Sequence, residues 1–396
     1  MKEISSLAAA VQASTTMKAD SLFKQMKADG ADVVGFGAGE PDFDTPENIK
    51  EAAYKAIRDG QTKYTPPSGI PALRQAAADR LLADCGISYS SGQIVVASGA
   101  KHNIYVALQS LLNAGDEVIL PAPYWVTYAE AIRMAGGVPV IVSAPESSDF
   151  KITKQQLEAA VTDKTKLFII NNPANPTGML YSDNELRALA EICVKYDLYI
   201  LSDEVYYQLV YKGKKFTSMA ALGDDVKERT IIVNGVSKSY AMTGWRIGYS
   251  ASNLRLAEVM GNYLSHSTSS PSTISQFAAV EALKGPQGSI AVMRDAFEQR
   301  RDYIVERVNS IDGISCRMPD GAFYVKINIE KLIGKNLGGR VINSSDDFSL
   351  AFLESGLVAV VSCDGFGCEN FIRMTYAASM ENIKEGMDRL EKFVTQ

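Results

Sequence analysis

Short, β-branched apolar runs recur through the middle of the chain, each ended by small or polar residues. They are IVVA (94–97), EVIL (117–120), VPVIV (138–142), LFIIN (167–171), LYILSD (198–203) and IIVN (231–234). Their near-continuous apolar character predicts strands buried on both faces. Amphipathic stretches such as 103–112 and 183–195 lie between them. Strands alternating with helices predict an α/β fold with a mainly parallel sheet covered on both sides. The pattern changes near 285–288. A long helical stretch at 288–310 leads into ISCRMPDGAFYVKI, VAVV and ENFIRMTYA, which predicts a second, smaller α+β domain. Residues before Pro46 carry their own strand run, DVVGF, and are expected to pair with that smaller domain. The expected division is 1–46 as an N-terminal arm and part of the small domain, 47–287 as the large domain, and 288–396 as the small C-terminal domain.

Composition narrows the function. The 396 residues are 46% hydrophobic and 22% charged, with a net charge of −6, ordinary for a folded domain and without the excess of basic residues that a nucleic-acid binder uses. Two histidines and five scattered cysteines supply a metal site poorly, so no metal is expected. The opening MKEISSLAAAVQASTT is too polar for a signal peptide, and no apolar run approaches the roughly 18 residues of a membrane span. These features predict a cytoplasmic protein with reduced thiols and no membrane partner.

Four strand ends carry residues with chemical potential. SGAKHNIYVALQSLL (98–112) reads as a helix start, whose free N–H groups and dipole suit a phosphate. Gly35, Gly37 and Gly39 do not make a dinucleotide fingerprint, because Glu40-Pro41-Asp42 follows them in place of a helix. NNPANPTG (171–178) is a rigid turn at the end of LFII. Asp203 closes a very apolar strand, and a carboxylate buried there needs a partner. In NGVSKSYAMTGWRIGY (234–249), Lys238 sits among small and hydroxylic residues, and Arg246 follows eight residues later. Each residue alone reads as well as an ordinary structural one. Together they suit a phosphorylated, cationic aromatic cofactor held by a Schiff base, as pyridoxal phosphate is.

At this point the chain resembles the class I aminotransferases of fold type I, and within them the branch of bacterial-type aspartate aminotransferases. The resemblance runs nearly end to end: GAGEPDFDTP (37–46), KYTPPSGIPALR (63–74), PAPYWVTY (121–128), NNPANPTG, SDEVY, VSKSYAMTGWRIGY, GAFYVKI (321–327) and FIRMTYA (371–377). It implies a three-layer α/β/α large domain that binds pyridoxal 5'-phosphate, a smaller α+β domain, and a homodimer with shared active sites. By the resemblance, Lys238 forms the internal aldimine and shuttles the Cα proton, and Asp203 pairs with the pyridinium nitrogen. Tyr206 and Asn175 serve the phenolic oxygen, and Trp125 stacks on the ring. The backbone N–H groups of Ala100 and Lys101, with Ser237 and Arg246, hold the phosphate, joined by Tyr64 of the other subunit. Arg373 clamps the substrate α-carboxylate, and Gly39 closes over it. Trp125 and Asn175 also face the substrate.

The implied activity is ping-pong transfer of the amino group of L-aspartate to 2-oxoglutarate, giving oxaloacetate and L-glutamate. Lys101 would recognise the side-chain carboxylate, because 265–276 contains no Arg or Lys for that task. Ser14, Thr15 and Thr16 resemble the segment that swings over the substrate. The same resemblance leaves open an aminotransferase for prephenate, aromatic or methionine-type substrates, or a C–S lyase. His102 and SCDGFG (362–367) depart from the branch's usual pattern.

Overall fold

The apolar runs of the middle of the chain form one sheet. A computed structural model describes residues 2–9, 11 and 15–395. After a two-residue strand, β1 (Val34–Gly35), the sheet strands are β2 (Ile94–Ala97), β3 (Glu117–Ala122), β4 (Val138–Ser143), β5 (Thr165–Asn171), β6 (Tyr199–Asp203), β7 (Thr230–Gly235) and β8 (Gly248–Ala251). Their order is β2-β8-β7-β6-β5-β3-β4. The β4–β3, β3–β5, β5–β6 and β6–β7 pairs are parallel, and β8 runs antiparallel to both β7 and β2. The fold is α/β with a mostly parallel sheet, as the pattern predicts. The reversed strand β8 is not among the runs read from sequence.

Both faces of the sheet are covered. On β6, Leu201 packs with Leu120, Ile169 and Val233 beneath Ile104 and Leu108 of the helix Ala100–Leu111. Its neighbour Ile200 points the other way, against Phe168, Leu186 and Ile192. That is why these strands are apolar throughout instead of alternating. The helix Asp183–Lys195 begins at a capping box: Glu185 Oε2 accepts from Ser182 N–H at 2.7 Å while Ser182 Oγ faces the Glu185 N–H.

The remaining strands are β9 (Ser315–Cys316), β10 (Tyr324–Asn328), β11 (Asn336–Leu337), β12 (Arg340–Val341), β13 (Val358–Ala359), β14 (Val361–Ser362) and β15 (Phe371–Thr375). A four-stranded sheet, β14-β15-β10-β9, packs with the helices Gly288–Ser310 and Met380–Val394 around Phe297, Phe323, Ile372 and Leu390. Val34 and Phe36 belong to the same core, and β1 pairs in parallel with β13. The early segment thus joins the core of the late domain, in a two-stranded ribbon separate from the four-stranded sheet.

Candidate active site

All the parallel strands end on one side of the large sheet, where ligands of such folds gather. A cavity of about 530 Å³ opens there, between the strand ends and the four-stranded sheet. Lys238, Asp203, Tyr206, Asn175, Trp125, Ala100, Lys101, Ser237, Arg246, Arg373 and Gly39 all line it. Tyr64 does not; its side chain is 94% exposed elsewhere on the surface. Thr15 and Thr16 open the helix Thr15–Ala28, and Ser14 lies outside the described residues.

Asp203 is buried at the end of β6, on the Leu201 face. Its Oδ2 accepts from the Tyr128 hydroxyl at 2.6 Å and its Oδ1 from Val205 N–H at 3.3 Å. Burial raises its pKa to about 6, and those two donors only partly offset the effect. No cation forms a salt bridge with it among the described residues, so a cationic ligand group would complete it. Lys238 donates from Nζ to the Gly39 carbonyl at 2.5 Å. Burial lowers its pKa to about 8, against the opposing charge of Glu40. An amine with that pKa is partly neutral near pH 8 and is a nucleophile there.

The anion cradle rests on two glycines. Gly99 caps the helix Ala100–Leu111 with φ at 89°, a left-handed conformation that suits glycine. A Cβ at Gly248 would lie 2.2 Å from the Ala100 nitrogen, so only glycine lets β8 approach the helix start. The N–H groups of Ala100 and Lys101, at the start of that helix, have no helical acceptor. The Arg246 guanidinium folds over Gly99, donating to Thr243 O at 2.8 Å and Ser98 O at 3.4 Å. Lys101 Nζ stands 4.9 Å from the Trp125 ring, and burial lowers its pKa, reinforced by Arg246.

Arg373 enters from β15 across the cavity. It is 4% exposed, donates from Nη1 to Asn175 Oδ1 at 3.0 Å and from Nη2 to Gly37 O at 2.9 Å, and lies 4.4 Å over the Tyr324 ring. Among the described residues no carboxylate neutralises it, and its Nε has no partner. A buried guanidinium with only neutral partners is a site for an anion. Tyr206 shares a hydrogen bond with Tyr324 at 3.1 Å, and burial drives its pKa well above 10.

Three contributors escape the sequence reading. Tyr128 orients Asp203, Tyr324 backs Arg373 and Tyr206, and Phe366 lines the cavity. PAPYWVTY and GAFYVKI contain the two tyrosines, but nothing in either motif says which atoms they meet. Asp364 has a structural place: its Oδ1 accepts from the Ser345 hydroxyl at the start of the helix Ser345–Gly356. His102 is half-buried beside Tyr105, and burial lowers its pKa.

The donor set fits pyridoxal phosphate on chemical grounds. It offers an amine of lowered pKa, a buried carboxylate lacking a cation, a helix start with an arginine over it, and a buried guanidinium lacking an anion. Comparison with known proteins agrees. The family model "Aminotransferase class I and II" matches residues 31–390. The chain is 46% identical to an aspartate aminotransferase of Bacillus sp. (strain YM-2), over 96% of each chain. It is 45% identical to an aspartate/prephenate aminotransferase of Cereibacter sphaeroides, over 99% of each. The crystal structure of the aspartate aminotransferase from Rhizobium meliloti superposes with a TM-score of 0.96 at 40% identity, covering 100% of this chain and 99% of that one.

Proposed function

We propose a function from one premise: the chain belongs to the class I and II aminotransferase family, and it is a pyridoxal-phosphate-dependent transaminase. Its reaction is transfer of the amino group of L-aspartate to 2-oxoglutarate, in two half-reactions on one site. The observation that carries this reading is the unneutralised Arg373 facing Lys238 and Asp203 across one cavity. Bound pyridoxal phosphate supplies an aldehyde for the amine and a ring that draws electron density from Cα.

Lys238 would be the amine for that aldehyde, and its Nζ is the base available in the cavity to move the proton at the substrate Cα. Its lowered pKa leaves part of it neutral and free to accept one near pH 8. Asp203 pairs with the ring nitrogen and is itself held in place by Tyr128. Tyr206 and Asn175 serve the ring's phenolic oxygen, and Trp125 packs on its face. Ala100 and Lys101 N–H, Ser237 and Arg246 take the phosphate. Arg373 binds the substrate α-carboxylate through its planar fork. The segment holding Gly37 and Gly39, which accepts hydrogen bonds from both Arg373 and Lys238, excludes water over the substrate.

Lys101 supports the preference for acidic substrates. It brings a cation to the cavity wall beside Trp125, at a helix start where a lysine is electrostatically unfavourable for the dipole. Tyr64 supports a homodimer with shared sites: a residue expected at the phosphate is exposed and does not line the cavity of its own chain. The division that goes with this reading has 1–46 as an N-terminal arm and part of the small domain, 47–287 as the large domain and 288–396 as the small C-terminal domain; the shared core of Val34 and Phe36 with the late strands supports it. The five cysteines are free, which fits a cytoplasmic setting, and among the described residues no helix is long and apolar enough to cross a membrane.

The test is a half-reaction. Protein loaded with pyridoxal phosphate is mixed with one amino acid and no oxo acid, and conversion of the cofactor spectrum to that of the pyridoxamine form is followed. Aspartate and glutamate should react far faster than phenylalanine or methionine, and Lys101→Ala should remove most of that preference. Faster reaction of the aromatic or sulfur amino acids would overturn the substrate assignment. Prephenate offered to the pyridoxamine form tests the activity named for the Cereibacter relative.

A further inference from the structure

One side-chain pair outside the cavity has no task in the proposed reaction. Lys326 lies on β10, in register with Arg373 on β15, and is 2% exposed. Its Nζ sits 3.5 Å from the centroid of the Phe150 ring and 3.6 Å from that of Phe371. Among the described residues it makes no salt bridge. Its hydrogen-bond partner is Sγ of Cys368, 2.8 Å away. That separation is short even for an N–H···O bond, and sulfur is the larger atom. Burial lowers the lysine's own pKa, against the pull of Cys368, Cys363 and Glu146.

The two nearby thiols differ. Cys363 is fully buried, and burial pushes its pKa up to about 12. Cys368 is partly exposed, at the end of the turn that Cys363 begins, with exposed neighbours on both sides. A small oxidant therefore reaches Cys368, and the amine stands where the oxidised sulfur would be attacked.

We propose that Lys326 and Cys368 form a redox-modification site, at which a hydroperoxide oxidises the thiol and the amine captures the product as a sulfur–nitrogen cross-link. In the first step the Cys368 sulfur attacks a peroxide oxygen as its proton passes to the adjacent Lys326 amine. An S–O bond forms, the O–O bond breaks, and with hydrogen peroxide the leaving hydroxide takes a proton from the Lys326 ammonium to give water. In the second step the freed amine attacks the sulfenic sulfur. An S–N bond forms, the S–O bond breaks, and the departing hydroxide takes the proton lost from nitrogen as a second water. The protein loses two hydrogens and two electrons, and one peroxide becomes two waters.

The cross-link fastens β10 to the turn that carries Phe366. That ring lines the cavity 5.3 Å from the Arg373 guanidinium, and the Phe366 carbonyl accepts from Tyr124 N–H at 3.0 Å, next to Trp125. Cross-linking therefore acts on substrate binding more than on the hold of the cofactor.

The test exposes the loaded enzyme to hydrogen peroxide and maps its peptides by mass. The expected product joins the Lys326 and Cys368 peptides, is lighter by two hydrogens, and reverts with dithiothreitol. Aspartate KM should rise several-fold with kcat little changed, and Cys368→Ser should show neither change. The mass result does not depend on the substrate assignment. A Cys363–Cys368 disulfide, abolished in Cys363→Ser, would overturn the proposal. So would sulfinic acid at Cys368 without a cross-link, or a Cys368 that peroxide leaves untouched.

Discussion

Asparagine in place of Asp203 separates what the carboxylate costs the fold from what it does for the cofactor. Asp203 is 3% exposed, and burial lifts its pKa from 3.8 to about 6. An acid with a higher pKa folded than unfolded binds its proton more tightly in the folded state. Below about pH 4 the group is mostly neutral in both states, and its ionisation costs the fold little. Well above about pH 6 it is charged in both, and the folded protein carries the full penalty of about 2 pKa units, or about 3 kcal/mol. About half of that penalty develops between pH 5 and pH 8. Asp203→Asn removes the titration while Tyr128 keeps an acceptor. The new amide donor adds a cost of its own, but one that does not vary with pH.

The stability of Asp203→Asn relative to the native sequence should therefore climb by about 1.5 kcal/mol from pH 5 to pH 8. Urea unfolding of both cofactor-free proteins across that range measures the difference. In the same preparations pyridoxal phosphate should bind the variant more weakly at pH 8, because the cationic ring nitrogen loses its counter-charge. A stability difference that stays flat with pH, or falls, would refute the reasoning about burial.

Two further outcomes follow from the same geometry. Arg373→Ala removes two charge-assisted hydrogen bonds to a carboxylate, each worth about 1.5–3 kcal/mol, so kcat/KM for aspartate should fall about 10²- to 10⁴-fold. The cofactor spectrum of that variant should be unchanged, and steady-state kinetics with a spectrum of the resting enzyme checks both. Gly248→Ala drives a Cβ against backbone atoms of Gly99 and Ala100, which cannot yield as a side chain end can. Destabilisation of about 1–3 kcal/mol and a weakened affinity for pyridoxal phosphate are expected, by denaturant unfolding and cofactor titration.

The residues legible in the sequence are those whose meaning is local. An apolar run that stops at a charged residue marks a strand end, and Asp203 could be read that way, whereas Lys238 stood out as a lysine among small and hydroxylic residues just past such a run. Gly99 followed by a helical pattern marks a helix start. Strand β8 escaped because GYSA is short and built of small residues; its glycine is there for the approach to Ala100, which no local pattern records. Tyr128 and Tyr324 escaped for a related reason. Their hydroxyls matter through Asp203 and Tyr206, which lie far away in the chain. Lys326 reads as one polar position in a strand, and only the packing of Phe150, Phe371 and Cys368 makes it unusual.

The pairing of β1 with β13 has a consequence for how the enzyme is made. Val34 and Gly35 meet Val358 and Ala359, so nearly the whole chain separates the two edges of that ribbon. On a ribosome the early segment emerges well before its partner strand and stays unpaired until residues 358–359 have left the exit tunnel. The carbonyls of Gly37 and Gly39 follow β1 directly, so they reach Arg373 and Lys238 only after that ribbon closes. Contacts of such separation form slowly, because loop closure must come before any gain from them. The large sheet can be complete on a nascent chain while the cavity still lacks its roof, and catalytic competence then waits on the closing of that ribbon.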